Sequence, residues 1–261
     1  MNATAILRLI QDASGIKGPE EFCCFGDALK EVNAVMVCWM ATSEAIQHAV
    51  EVEADLIICH EAFFLPYLVE YSEGMGDFLS FPVNYKRTAA LAKHGISIIR
   101  VHPSMDKISI LDTAAQILKL ENLVADDGEW ARVYQLNEPV SFTDLIEHVE
   151  KCGLPVLRYS DADPERIISR IGIPWGGMSL FVNIPYMQQL VNMGCDAFIA
   201  GESDSYTFHF VKESGIAMIE TGHEASENAG VGLFADWLRD RLENTRVEYF
   251  ESRPAYIIRN Q

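Results

Sequence analysis

Four things are missing from this sequence: a CxxC pair, a run of about eighteen uncharged apolar residues, a proline- or serine-rich linker, and enough positive charge to balance its acids. Each absence removes a class of protein. The six cysteines, Cys23, Cys24, Cys38, Cys59, Cys152 and Cys195, sit in apolar strand-like or helix-like contexts. That pattern points to reduced thiols and away from a disulfide framework or a structural zinc ribbon. Without a long apolar run there is no candidate membrane-spanning helix. The opening residues, Met1 to Gly15, have helical spacing and an internal acid, Asp12, where a signal peptide would need a basic flank and an apolar core. The expectation is a cytoplasmic protein. Lys and Arg number 20 against 38 Asp and Glu, a net charge of −18, which argues against nucleic acid as a partner because that interaction needs cations to displace counterions. An anionic small-molecule ligand would have to be held locally, by a metal or a few arginines.

What is present is a chain of 261 residues, 49% hydrophobic and 22% charged, which suits one large domain or two closely packed lobes. Runs rich in Val, Ile and Ala alternate with amphipathic segments of helical length, the pattern of an α/β protein with mixed sheets covered by helices. Strands are expected at Ala34 to Trp39, Asp55 to Cys59, Ser97 to Val101, Val156 to Tyr159, Ile167 to Ile173, Ala197 to Ala200, Ala217 to Glu220 and Val247 to Phe250. Helices are expected at Thr4 to Gln11, Ser43 to Glu53, Tyr85 to His94, Ile110 to Leu118, Phe142 to Lys151, Met187 to Met193, Ser205 to Glu213 and Glu227 to Glu243. An acidic, Gly-containing stretch from Glu121 to Glu129 is the candidate boundary, dividing the chain into approximate lobes 1–124 and 125–261.

Laid on itself, the chain shows a loose internal repeat. The segment Ala54-Asp-Leu-Ile-Ile-Cys-His-Glu61 parallels Cys195-Asp-Ala-Phe-Ile-Ala-Gly-Glu202, each an acid-led apolar strand running into a polar turn that ends in Glu. A helix follows each, then a Gly-Ile strand opening at Gly95-Ile96 and at Gly215-Ile216. Each copy closes on a histidine followed four residues later by an acid: His102 to Asp106, and His223 to Glu227.

In open α/β sheets, ligands bind beyond the carboxyl ends of strands, and Cys59-His60-Glu61, His102 and Asp106, Glu202, and His223 fall there. Two imidazoles and two carboxylates suit one or two divalent transition-metal ions: zinc, iron, manganese, cobalt or nickel, among which intrinsic affinity does not choose. A carboxylate can bridge two cations and an imidazole cannot, so Asp106 and Glu227 are the bridging candidates. Cys59 reads equally as a buried apolar strand residue or as a thiolate ligand. Glu61, Glu202 and Glu224 read as solvated acids, outer carboxylates or bases. The Ile173-Pro-Trp-Gly-Gly177 turn reads as a tight turn or as a close approach to a ligand. Arg100 is expected to point away from His102. The histidines at 48, 94, 148 and 209 read as structural.

The strand ending in His60, the His102 to Asp106 spacing, Gly201-Glu202 and Thr221-Gly-His223 through Glu227 together resemble the Nif-three-like dinuclear metal-centre family, whose members carry the name GTP cyclohydrolase 1 type 2 homologue. The resemblance runs from about Ile6 to Ile258. It implies a two-lobed Nif-three-like fold, a homohexamer built as a trimer of dimers, a pair of metal ions, and His60, Asp106, His223 and Glu227 as ligands. The chain departs from the family pattern at Cys59, where a second consecutive histidine is usual, at Glu224 after the carboxy-terminal histidine, and at Ile110-Leu-Asp112, where Gly-Val-Asn is expected. The function expected is that of a metal-dependent hydrolase or cyclohydrolase-like enzyme acting on a small nucleotide-like substrate. A non-catalytic metal-binding or regulatory hexamer is the alternative, and a metal-free scaffold a third reading.

Overall fold

The computed structural model describes residues 1–65 and 78–257, and the chain divides into two compact units. Unit 1 comprises Met1–Ile110 and Gly230–Ser252; unit 2 comprises Leu111–Ala229 and the chain from Arg253. The stretch Glu121 to Glu129 contains strand β5 and the turn into β6, and the division falls at Ile110/Leu111 with a return at Gly230.

Unit 1 is built on a five-stranded sheet in the order β1-β4-β3-β2-β11, formed by β1 (Phe22–Phe25), β2 (Ala34–Cys38), β3 (Leu56–Cys59), β4 (Ser97–Arg100) and β11 (Arg246–Phe250). Strands β11, β2, β3 and β4 run parallel, and β1 is antiparallel to β4. Every residue of β2, β3 and β4 is buried, which explains their continuous apolar runs: a parallel strand covered on both faces has no solvent side on which to alternate. Helix α1 (Ala3–Ser14) is capped by Asn2, α2 (Ser43–Glu51) by Thr42, and α3 (Pro82–His94) starts on proline and stops at Gly95 in the left-handed conformation.

Unit 2 carries a six-stranded mixed sheet in the order β5-β6-β8-β9-β10-β7: β5 (Asn122–Asp126), β6 (Arg132–Ser141), β7 (Arg158–Tyr159), β8 (Ile167–Gly172), β9 (Ala197–Ala200) and β10 (Ala217–Glu220). The β8-β9-β10 portion is parallel and the outer pairs antiparallel. Its helices are α5 (Leu111–Ile117), α6 (Phe142–Lys151), α7 (Ile184–Asn192) and α8 (Ser205–Glu213); α9 (His223–Arg239) begins in unit 2 and ends in unit 1.

The internal repeat is a structural one, and its acids do the same work in both copies. Asp55 Oδ2 accepts the backbone N–H groups of Asn33 and Ala34 at 2.9 and 3.2 Å. Asp196 Oδ2 accepts those of Ser169 and Arg170, both at 2.9 Å. Each carboxylate thereby joins the start of its own strand to the strand beside it in the parallel ladder, β2 in unit 1 and β8 in unit 2.

Three strands lie outside the expected set. Phe22-Cys-Cys-Phe25 is short, β5 is an exposed acidic edge, and β6 contains Pro139, which argues against a strand when read from sequence. The β6–β8 ladder breaks between Gln135 and Val140 and then resumes, and the proline is accommodated in that irregularity. The expected helix from Ile110 is preceded by α4 (Pro103–Met105) and a π-helical turn, Asp106–Ile110. Helix α9 starts at His223, four residues before its expected beginning.

Candidate metal centre

Both His-x-x-x-acid pairs are turns of helix that start just beyond a strand. In unit 1, β4 ends at Arg100, His102 precedes Pro103 at the first helical position, and the Asp106 N–H donates to the His102 carbonyl at 3.1 Å. Asp106 opens the π-helical turn, a local widening that recurs at functional sites. In unit 2, β10 ends at Glu220, Thr221-Gly222 turns the chain with Gly222 at φ +98°, and His223 opens α9. Positions four apart on a helix share a face, so each spacing sets an imidazole over a carboxylate.

Unit 1 brings His60, His102 and Asp106 together. One potential ligand atom from each lies within 4.8 Å of the others, the arrangement a single cation can span. His60 is fully buried, its Nε2 is 3.8 Å from Asp106 Oδ1, and its ring lies 4.5 Å from that of His102. His102 points Nδ1 at Glu20 Oε2, 2.8 Å away, and Nε2 toward Glu61 Oε1 at 3.7 Å. Glu20, Glu61 and Asp106 gather around the two histidines, with Arg100 paired to Glu20, a largely anionic setting that a divalent ion would complement.

Unit 2 brings His223, Glu227 and Glu202 together. His223 Nδ1 lies 3.0 Å from Glu202 Oε2, while Nε2 lies 3.3 Å from Glu227 Oε2. A carboxylate on Nδ1 is the outer partner found behind metal-ligating histidines, and it leaves Nε2 on the Glu227 side, where a cation could be shared by that nitrogen and the Glu227 carboxylate. The space in front of these atoms depends on glycine. Gly176 sits at φ +50°, and a Cβ there would overlap the Glu227 carboxylate and lie 3.1 Å from His223 Nε2. Its N–H donates to Ser226 Oγ at 2.9 Å, and its carbonyl accepts the Glu202 N–H at 2.7 Å. The Ile173 to Gly177 turn therefore does approach the group closely. Beneath it, Glu220 is buried and gripped by Arg158 Nη2 at 2.7 Å and by the Ser203 hydroxyl. Burial holds the Glu220 carboxyl above its ordinary range against the lowering effect of those two partners.

Cys59 stands apart from both groups. It is fully buried in the apolar cluster with Met36, Cys38, Ile57 and Ile98, and its Sγ donates to the Ile99 carbonyl at 3.7 Å. Burial pushes its thiol up to about 12, so it stays protonated at neutral pH. Strand alternation separates its side chain from that of His60. Arg100 corrects an expectation: residues two apart in an extended chain share a face, and Arg100 and His102 contact the same Glu20 carboxylate. Glu20 carried no signal in the sequence, since only the fold brings the turn before β1 to the end of β4. Glu224 lies half-buried in the first turn of α9.

The fold and these groups define a two-sheet α/β protein with a metal-competent trio, His60, His102 and Asp106, in unit 1 and a carboxylate-flanked histidine, His223, in unit 2. The chain belongs to the Duf34/NIF3 (NGG1p interacting factor 3) family, whose profile matches residues 7–255. It is 28% identical over 219 residues, 80% of each chain, to a Haemophilus influenzae protein named GTP cyclohydrolase 1 type 2 homolog. Its fold is shared with a Staphylococcus aureus hypothetical protein (TM-score 0.79, 16% identity, 99% of each chain). A Bacillus cereus protein related to NIF3 also shares it (TM-score 0.79, 13% identity, 98% of this chain and 99% of that one). Among the described residues, no helix is long and apolar enough to cross a membrane.

Proposed function

We propose that His60, Asp106, His223 and Glu227 hold one or two divalent transition-metal ions, and that the chain is a metal-dependent hydrolase or cyclohydrolase-like enzyme acting on a small nucleotide-like substrate in the cytoplasm. The observation that carries the reading is the His223 geometry: an imidazole held by Glu202 on one nitrogen, its other nitrogen beside Glu227, and a glycine where any side chain would fill the space in front. The His60, His102 and Asp106 group of unit 1 offers matching nitrogen and oxygen donors, and the anionic setting around it suits a dication. A bound divalent ion supplies a Lewis acid and acidifies a water at neutral pH. The residues themselves orient: Glu202 holds His223, and Gly176 lets its turn pack against Glu227 without displacing the carboxylate. The cyclohydrolase-like chemistry and GTP as a first substrate to try come from the names of the relatives. Complete burial of His60 favours the second reading, a non-catalytic metal-binding or regulatory hexamer, because enclosed ions serve structure or storage.

Elemental analysis of natively purified protein tests the site. Wild type is expected to carry one or two ions per chain, and Asp106→Ala and His223→Ala to weaken binding by more than the roughly 10–100-fold lost when an outer partner is removed. Full metal retention by the His223 variant would overturn the ligand assignment. A screen of GTP, other nucleotides and phosphoesters separates the two readings: hydrolysis abolished by Glu227→Gln supports the enzyme, and a loaded protein inert across the screen supports the binding role.

A further inference from the structure

We propose that Arg100 is the positioning residue for both histidines of the unit 1 group, holding the main chain of His60 directly and the imidazole of His102 through Glu20. The inference rests on the metal-binding reading above for its purpose and on geometry for its substance. Arg100 is fully buried, the bulkiest of the completely enclosed side chains among the described residues. Enclosing a guanidinium carries a large desolvation cost, and a buried cation persists where its partners satisfy it.

The partners are informative. Arg100 Nε donates to the backbone carbonyl of His60 at 3.2 Å. Arg100 Nη2 meets Glu20 Oε2 at 3.0 Å, and the same Glu20 oxygen lies 2.8 Å from His102 Nδ1. One planar group therefore reaches the His60 main chain from one nitrogen and the carboxylate that holds His102 from another. The fork geometry makes this possible: a lysine would offer a single point charge and could not span both acceptors.

Two consequences follow for the imidazoles. His60 leaves β3 where the ladder ends, its N–H donating to the Cys38 and Trp39 carbonyls at 3.2 and 3.0 Å, while Arg100 takes its carbonyl. Both main-chain groups of His60 are thus tied, which sets the direction in which its Cα–Cβ bond leaves the chain. For His102, Glu20 accepts from Nδ1, which places the proton there and leaves Nε2 as the bare nitrogen facing Glu61 and the group. Unit 2 repeats the second device with Glu202 on His223 Nδ1. The shared device is an outer carboxylate on Nδ1.

Two readouts on the full-length protein test this. In the metal-free protein, long-range proton–nitrogen spectra report which His102 nitrogen carries the proton; Nδ1 is expected in wild type. Glu20→Ala should shift it to the Nε2–H form, and Glu20→Gln, whose amide oxygen still accepts, should largely retain it. Zinc titration against a competing chromophoric chelator should show affinity about 10–100-fold lower in Glu20→Ala and Arg100→Lys, with Glu20→Gln in between. Glu20 is partly exposed, so its variants should fold even where Arg100→Met does not. Unchanged tautomer and unchanged zinc affinity in Glu20→Ala would overturn the proposal. Wild type that binds no zinc while the tautomer still follows Glu20 would remove the metal reading and leave the positioning role standing.

Discussion

Cys59 shows how a single residue's chemistry follows from the side of the strand it occupies. Its neighbour His60 is separated from it by one peptide, yet the thiol lies among apolar side chains and stays protonated, pushed up to about 12 by burial. Such a thiol is a small hydrophobe and a poor ligand or nucleophile. Cys59→Ser is therefore expected to leave metal stoichiometry unchanged while costing roughly 1–3 kcal/mol in stability, because it places a hydroxyl in an apolar site. Chemical denaturation and elemental analysis of the same preparation check both parts. Mass-spectrometric mapping after alkylation of the native protein should find the Cys59 peptide unmodified.

At the scale of the element, the paired acids Asp55 and Asp196 explain why the two copies of the repeat keep their form. Burial raises the Asp55 carboxyl, but the backbone N–H of Asn33 and the Lys30 ammonium at 2.9 Å outweigh it, and the net shift is downward. A carboxyl lowered in the folded state contributes stability that is present above its unfolded value, about 3.9, and is lost as pH falls through the lower folded value. Asp55→Asn should thus destabilise the protein at pH 7, by about 1–2 kcal/mol for charge-assisted hydrogen bonds at a partly exposed position. The gap between variant and wild type should narrow below about pH 4. Denaturation curves at pH 7 and below pH 4 measure it; a gap independent of pH would show that the charge does not matter.

At the scale of the whole molecule, the resemblance read from the sequence carries an assembly of six chains. Light scattering coupled to size exclusion is expected to give a particle about six times the 29.2 kDa chain. A monodisperse monomer at micromolar concentration would remove the hexamer from both functional readings.

Much of this protein is written locally. Strands such as Ala197–Ala200 and Ala217–Glu220, and helices such as Phe142–Lys151 and Ser205–Glu213, are legible to the residue, since buried parallel strands and capped amphipathic helices are set by neighbours in sequence. The repeat and its His-x-x-x-acid endings are legible for the same reason: a helical turn fixes which face positions four apart share. Tertiary structure decided the remainder. It enclosed the Cys59 thiol, set Glu20 against His102, placed Arg100 beneath two histidines, and brought the Gly176 turn against Glu227 and His223. These pairings join segments far apart in the chain, and no local propensity records them. The sequence alone determines which side chains can bind a metal; the packing of separate strand ends determines which of them are held in a position to do so.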